Sequence, residues 1–150
     1  MDALKLVALE QDDLEVVSTH LQDAILKIGD ILWQPRERRL VLALCRFDWL
    51  AAIGAQPELR RRLCALRFDR VTALKCRNIH QANKDAVLNL LAVAFEEGDP
   101  PAGAVTLTFS GGAALRLEVE CLEAELADLG PAWAAQGLPA HADEAAQVGG

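Results

Sequence analysis

RRLVLALCRFDW, residues 38–49, returns in shortened form as RRLCALRFDR, residues 61–70. Both copies open with Arg-Arg-Leu and close with Arg-Phe-Asp, with five residues between the triplets in the first and three in the second. Side chains in a strand alternate faces, so a spacer that differs by two residues keeps its phase. Cys45 then shares a face with Phe47, and Cys64 with Phe68, while Arg46, Asp48, Arg67 and Asp69 point the other way. Periodicity therefore predicts two strands of one sheet, each with an apolar inner face and an Arg/Asp outer face. Residues 40–45 are apolar on both faces, which marks the first copy as a central, covered strand.

Working outward, LKLVAL (4–9) reads as a short opening strand. Asp12 offers an N-cap oxygen with Glu15 as its capping-box partner, and Leu14, Val17, Leu21 and Ile25 form one stripe. An amphipathic helix is predicted over 13–24. ILKIGDILW (25–33) is a strand leading into the turn QPRER, where Pro35 fixes φ. LAAIGAQPEL (50–59) breaks the pattern at Gly54 and Pro57. The echo strand continues into RVTALKCRNI through a bend near Asp69 that resets its phase.

NKDA (83–86) is a turn, followed by the strand VLNLLAVAFEEG. GDPPAG (98–103) is a loop, and AVTLTF, SGG and ALRLEV form a hairpin that completes a meander. ECLEAELADLG (120–130) reads as a terminal helix with Leu122, Leu126 and Leu129 on one face, stopped by Gly130 and Pro131. The expectation is an α+β fold, a mostly antiparallel sheet of about seven strands with one N-terminal and one C-terminal helix. Residues 1–133 would form a single domain, and the Ala/Gly-rich residues 134–150 a flexible tail. This order of elements is similar to that of the pleckstrin-homology-like barrel, whose last helix plugs one open end. A two-layer sheet-and-helix fold is the alternative.

Of 150 residues, 52% are apolar and 25% charged, the balance of a soluble globular protein. No apolar run approaches the roughly 20 residues of a membrane helix. The amino terminus turns acidic at once and lacks the basic start and cleavage site of a signal peptide, which predicts a cytoplasmic location without membrane insertion. Cys45, Cys64, Cys76 and Cys121 form no CxxC pair and read as reduced thiols. Cys76 and His80 on a strand stand about 13 Å apart, too far to share an ion. Neither metal nor cofactor is expected.

Charge is unevenly spread. From Arg36 to Lys84, twelve Lys/Arg face four Asp/Glu, a balance of +8, while the remainder holds three against eighteen, −15. The candidate partner surface is Arg36, Arg38 and Arg39 on the hairpin turn with Arg60, Arg61 and Arg62 opening the echo strand. The two clusters converge if their strands are parallel and lie at opposite ends if antiparallel. Such a surface suits an acidic protein or self-association, and the net charge of −7 disfavours nucleic acid.

No local pattern carries catalysis. Gly111-Gly112 lies in a hairpin rather than a phosphate loop, and Ser18 and Ser110 lack a nucleophile-elbow context. His20 borders the helix stripe as a satisfied surface group, and His141 falls in the tail. Glu118 and Glu120 share a strand face about 6.6 Å apart and read as solvated. A non-enzymatic binding or interaction module is expected. The alternative is an enzyme whose site is assembled from residues that no local motif reveals.

HLQDAILKIGD, PRERR, RFDW, DAVLNLLAVAF and RLEVECLEAELADLGPAW together resemble a family of short alphaproteobacterial proteins classified only as a domain of unknown function. The likeness spans residues 4–133. It implies a bacterial cytoplasmic protein and transfers no catalytic residue.

Overall fold

Apolar side chains two positions apart draw more than half of the described residues into strands, and the strands join one sheet. A computed structural model describes residues 3–48, 52–53, 60–129 and 133–134. The elements run β1 (Lys5–Ala8), α1 (Gln11–Leu21), β2 (Ala24–Lys27), a 3-10 turn (Ile28–Asp30), β3 (Ile31–Gln34), β4 (Arg39–Phe47) and β5 (Arg60–Phe68). There follow β6 (Val71–Arg77), β7 (Val87–Glu97), β8 (Gly103–Phe109), a second 3-10 turn (Ser110–Gly112), β9 (Ala114–Val119), β10 (Ala124–Asp128) and β11 (Trp133–Ala134). The strand order is β1-β10-β5-β4-β2-β7-β8-β9-β6, with β3 beside β4 and β11 beside β5. The class is sheet-dominated α+β, and the meander β7-β8-β9 is present. The described strands number eleven, however, and not about seven.

The expected C-terminal helix is strand β10. Leu122 and Leu126 are four apart, a spacing that suits a strand face as well as a helix stripe, and Ala124 between them is buried too. Pairing with β1 on one side and β5 on the other outweighs the helix propensity of Glu and Ala. Leu129, the third member of the supposed stripe, is 57% exposed. Without that helix the order of elements no longer matches the pleckstrin-homology-like barrel. Gly130 and Pro131, most of residues 50–59, and residues 135–150 lie outside the described residues.

Two smaller corrections concern the first third of the chain. The helix starts at Gln11, and the Asp13 carboxylate accepts the backbone N–H groups of Leu9 and Glu10 at 3.1 Å each, so Asp12 and Glu15 are not the capping pair. Residues 25–33 are not one strand, because the 3-10 turn separates β2 from β3.

The phase of β4 is also opposite to expectation. Leu40, Leu42 and Leu44 are buried on one face, and Arg46 continues that face with only 2% exposure. Cys45 is half-buried on the other side. In β5 the phase is as expected, with Cys64, Leu66 and Phe68 all at 0% exposure. β4 and β5 are antiparallel, from Leu40 opposite Phe68 to Phe47 opposite Arg61, so Arg46 stands opposite Arg62.

β5 leads into β6 through the bend at Asp69–Arg70, where Arg70 adopts a φ of 62°. The sheet thereby curls on itself and leaves two seams. β1 and β7 are five places apart in the strand order, yet α1 packs against both. Leu14, Val17 and Leu21 fill this first seam, and the Val93 N–H donates to Ser18 Oγ at 2.9 Å, tying the helix to β7. The second seam lies between β3 and β6. Among the described residues β3 has its ladder with β4 and β6 with β9, so each turns an unpaired edge toward the other. No described helix is long and apolar enough to cross a membrane.

Candidate functional site

The second seam is a groove of about 470 Å3. β3 contributes Ile31 and Trp33, β6 contributes Leu74 and Cys76, and Ile79 and Lys84 come from the loop that follows. Strand alternation explains the placement. Leu74 and Cys76 share the face that pairs with Leu117 and Leu115 on β9, and both of those leucines are buried. Ile31, Trp33, Leu74 and Ile79 pack against the core while remaining half-exposed. Backbone hydrogen bonds bridge the seam on either side of β3. The Val71 N–H donates to the Arg38 carbonyl at one end, and the Gly29 N–H donates to the Lys84 carbonyl at the other, each at 2.9 Å.

The groove's lining is mostly apolar. Burial pushes the Cys76 thiol up, against a hydrogen bond with Gln81 that pulls it down, so the thiol is protonated at neutral pH and a poor nucleophile. Among the described residues no Asp, Glu or His lines it. A concave, mostly apolar site of this size with few polar groups is the ordinary form of a small-molecule pocket.

The first seam holds a second constellation, made of charge. Arg46 donates to Asp128 twice, Nε to Oδ1 and Nη2 to Oδ2, both at 2.8 Å, and the Leu4 N–H donates to Oδ2 at 2.7 Å. Arg62 Nε donates to Asp48 Oδ2 at 3.0 Å and stands 3.9 Å from Asp128. The four side chains are at most 6% exposed. Burial alone would raise the Asp128 carboxyl. The hydrogen bonds from Arg46 and Leu4 and the charges of Arg46 and Arg62 outweigh it and hold the group below the usual carboxylate range. His20, on α1, is held below the ordinary imidazole value, first by burial and then by Arg46, with Asp128 and Asp48 opposing. Its buried Nδ1 has no hydrogen-bond partner among the described residues. His20 is therefore part of this seam rather than a satisfied surface group. Burial likewise pushes the neighbouring Cys64 thiol up to about 12, with Arg46 partly offsetting it.

The six arginines of the candidate partner surface do not meet. Arg36 is exposed on the turn, Arg38 pairs with Glu120 at 3.1 Å, and Arg39 with Asp69 at 2.7 Å. Asp69 also takes Arg67 at 2.9 Å, and Arg70 lies 3.6 Å from Glu123. Antiparallel pairing puts the others at the far end of β5, about 27 Å away along the strand. There Arg62 belongs to the buried cluster. Arg61 is 3% exposed, donates to the Cys45 carbonyl at 3.3 Å and stacks 5.9 Å from the Phe47 ring centre. Arg60 begins β5, and its side chain and Trp49 lie outside what is described. The carboxylates Glu118 and Glu120 are each taken by an arginine, Arg116 and Arg38.

Neither constellation was visible in local sequence. The groove draws on residues up to 87 positions apart, from Ile28 to Leu115. The charge cluster did leave a signal, since Leu40, Leu42, Leu44 and Arg46 are in phase.

The sequence pattern of a family described as a protein of unknown function, DUF2948, matches residues 4–141. The chain belongs to this family. The match takes in every element that builds the two seams of this DUF2948 member, from β1 through β11. No curated protein and no solved structure matches the chain.

Proposed function

We propose that this DUF2948 protein is a non-enzymatic binding module and that the groove between β3 and β6 is its ligand site. One observation carries the reading: four half-buried apolar side chains, Ile31, Trp33, Leu74 and Ile79, converge on a 470 Å3 groove between two unpaired strand edges. Exposed apolar surface gathered in one concave place marks a site to be covered. The perturbed groups that an enzyme would use, His20 and Asp128, belong to the other seam, and neither lines the groove. Arg38 and Arg39 sit at a corner already supplied with Glu37, Glu120 and Glu123, and Arg36 is exposed on the turn, so we assign them to internal pairing and solubility. The net charge of −7 argues against nucleic acid.

The test uses N-phenyl-1-naphthylamine, a neutral apolar dye that brightens when it leaves water. The expected result is saturable binding of one equivalent to the full chain, with protection of Cys76 from alkylation. Cys76→Trp fills the groove from an exposed position and should abolish dye binding without lowering the melting temperature. Dye binding that survives in a folded Cys76→Trp protein would show that the groove is not the site.

A further inference from the structure

Resting on that reading, we propose that the ligand is a compact amphipathic monocarboxylate, its apolar body in the groove and its carboxylate on the Lys84 ammonium. Lys84 is the sole formal charge among the described residues that line the groove, and the neutral amide of Gln81 lines it too. An apolar cleft with one cation at its rim recognises a molecule that is apolar along its length and singly negative at one end. The ammonium–carboxylate bond is charge-assisted and about twice as strong as a neutral one. A single charge also suits the whole molecule, because the net charge of −7 repels a polyanion more than a monoanion.

The lysine is held in place rather than left on a loose loop. Its carbonyl accepts the Gly29 N–H at 2.9 Å. A Cβ at position 29 would stand 3.1 Å from Lys84 Cβ and 3.2 Å from its carbonyl oxygen, so glycine is what lets the two segments approach. The same contact decides between a compact ligand and a polypeptide. Two unpaired edges invite strand addition. Here the Gly29–Lys84 and Val71–Arg38 bonds bridge the seam on either side of β3, which leaves an added strand little edge to pair with. β3 spans four residues, about 13 Å, which sets the length of the body to a medium-chain acyl group or its equivalent.

The experiment displaces the neutral dye from the full-length protein with octanoate, octanol and octylamine at low salt. Octanoate should bind about tenfold more tightly than octanol, and octylamine more weakly than either. Lys84→Gln should level octanoate with octanol, and Lys84→Arg should restore the preference. If octanol matches octanoate on the wild-type protein while the dye still binds, the carboxylate proposal is overturned and the groove stands as a binding site. Displacement by a hexapeptide of alternating valine and threonine, but not by octanoate, would overturn it in favour of strand addition. Failure of the dye itself to bind would remove the groove and the proposal together.

Discussion

The seam that α1 fills and the seam between β3 and β6 close the same curled sheet by opposite means. In the first, four full charges are withdrawn from water, with the half-buried His20 of α1 beside them. In the second, apolar side chains are left half in water, and backbone bonds pin only the two ends. Buried charge is tolerable only as a matched set. Here two guanidiniums face two carboxylates, and Leu4 supplies a further donor. An apolar surface has no such requirement and can wait for a partner. Stability is therefore concentrated in the first seam, and the proposed binding capacity in the second.

The largest expected effect breaks the matched set. Asp128→Ala leaves Arg46 buried without its bidentate acceptor and should cost about 3–5 kcal/mol in denaturant unfolding. Replacing both partners, Arg46→Met with Asp128→Leu, should recover most of that loss, because no charge is then stranded. A cost below about 1 kcal/mol for the single variant would mean that water reaches the cluster. Next comes the contrast between seams. Leu14→Ala, beneath α1, should cost about 2–5 kcal/mol. Ile31→Ala, on the wall of the open groove, should cost about 1 kcal/mol, between surface and core values. Equal costs would erase the distinction.

A smaller effect compares the two Arg-Phe-Asp triplets. The first copy turns Arg46 inward, and its Asp48 is 3% exposed. The second turns Phe68 inward and leaves Arg67 and Asp69 at the surface, where Asp69 joins Arg39 and Arg67. Asp69→Asn should therefore cost at most about 1 kcal/mol, and less as salt rises.

That contrast also shows how far the sequence could be read. Strands β4 to β9 were legible because their apolar residues alternate between clear turns. The phase of β4 was not. Its stretch from Leu40 to Cys45 is apolar on both faces, and likeness to the second copy assigned Arg46 to the wrong one. β10 was misread because Leu122 and Leu126 fit periods of 2 and 3.6 alike, and only pairing with β1 and β5 decides between them. Of the candidate arginines, the sequence correctly set out the two alternatives for their geometry. Which one held depended on the direction of β4 relative to β5, and composition does not encode that. The groove's edges come from strands that meet only after the sheet has curled.

The smallest expected effect is a slope with pH, and its sign locates His20. Its pKa lies below the ordinary imidazole value of 6.5 in the folded protein, so between the two values the unfolded chain binds a proton that the folded chain does not. Stability rises with pH wherever the unfolded state holds more protons. His20 thus contributes fully above pH 6.5, and that contribution shrinks as pH falls through 6.5 toward the folded value. Asp128 follows the same sign in a separate window. Its folded pKa lies below 3.8, so its contribution is present above 3.8 and is lost only as pH falls through the folded value. Two acid limbs are expected in urea midpoints measured from pH 8 downward, one beginning near 6.5 and one below 3.8. His20→Gln should flatten the upper limb and leave the lower one in place. A wild-type midpoint that stays constant from pH 7.5 to 4.5 would put His20 outside the seam, in contact with water, and leave the charge cluster to stand on Arg46, Arg62, Asp48 and Asp128 alone.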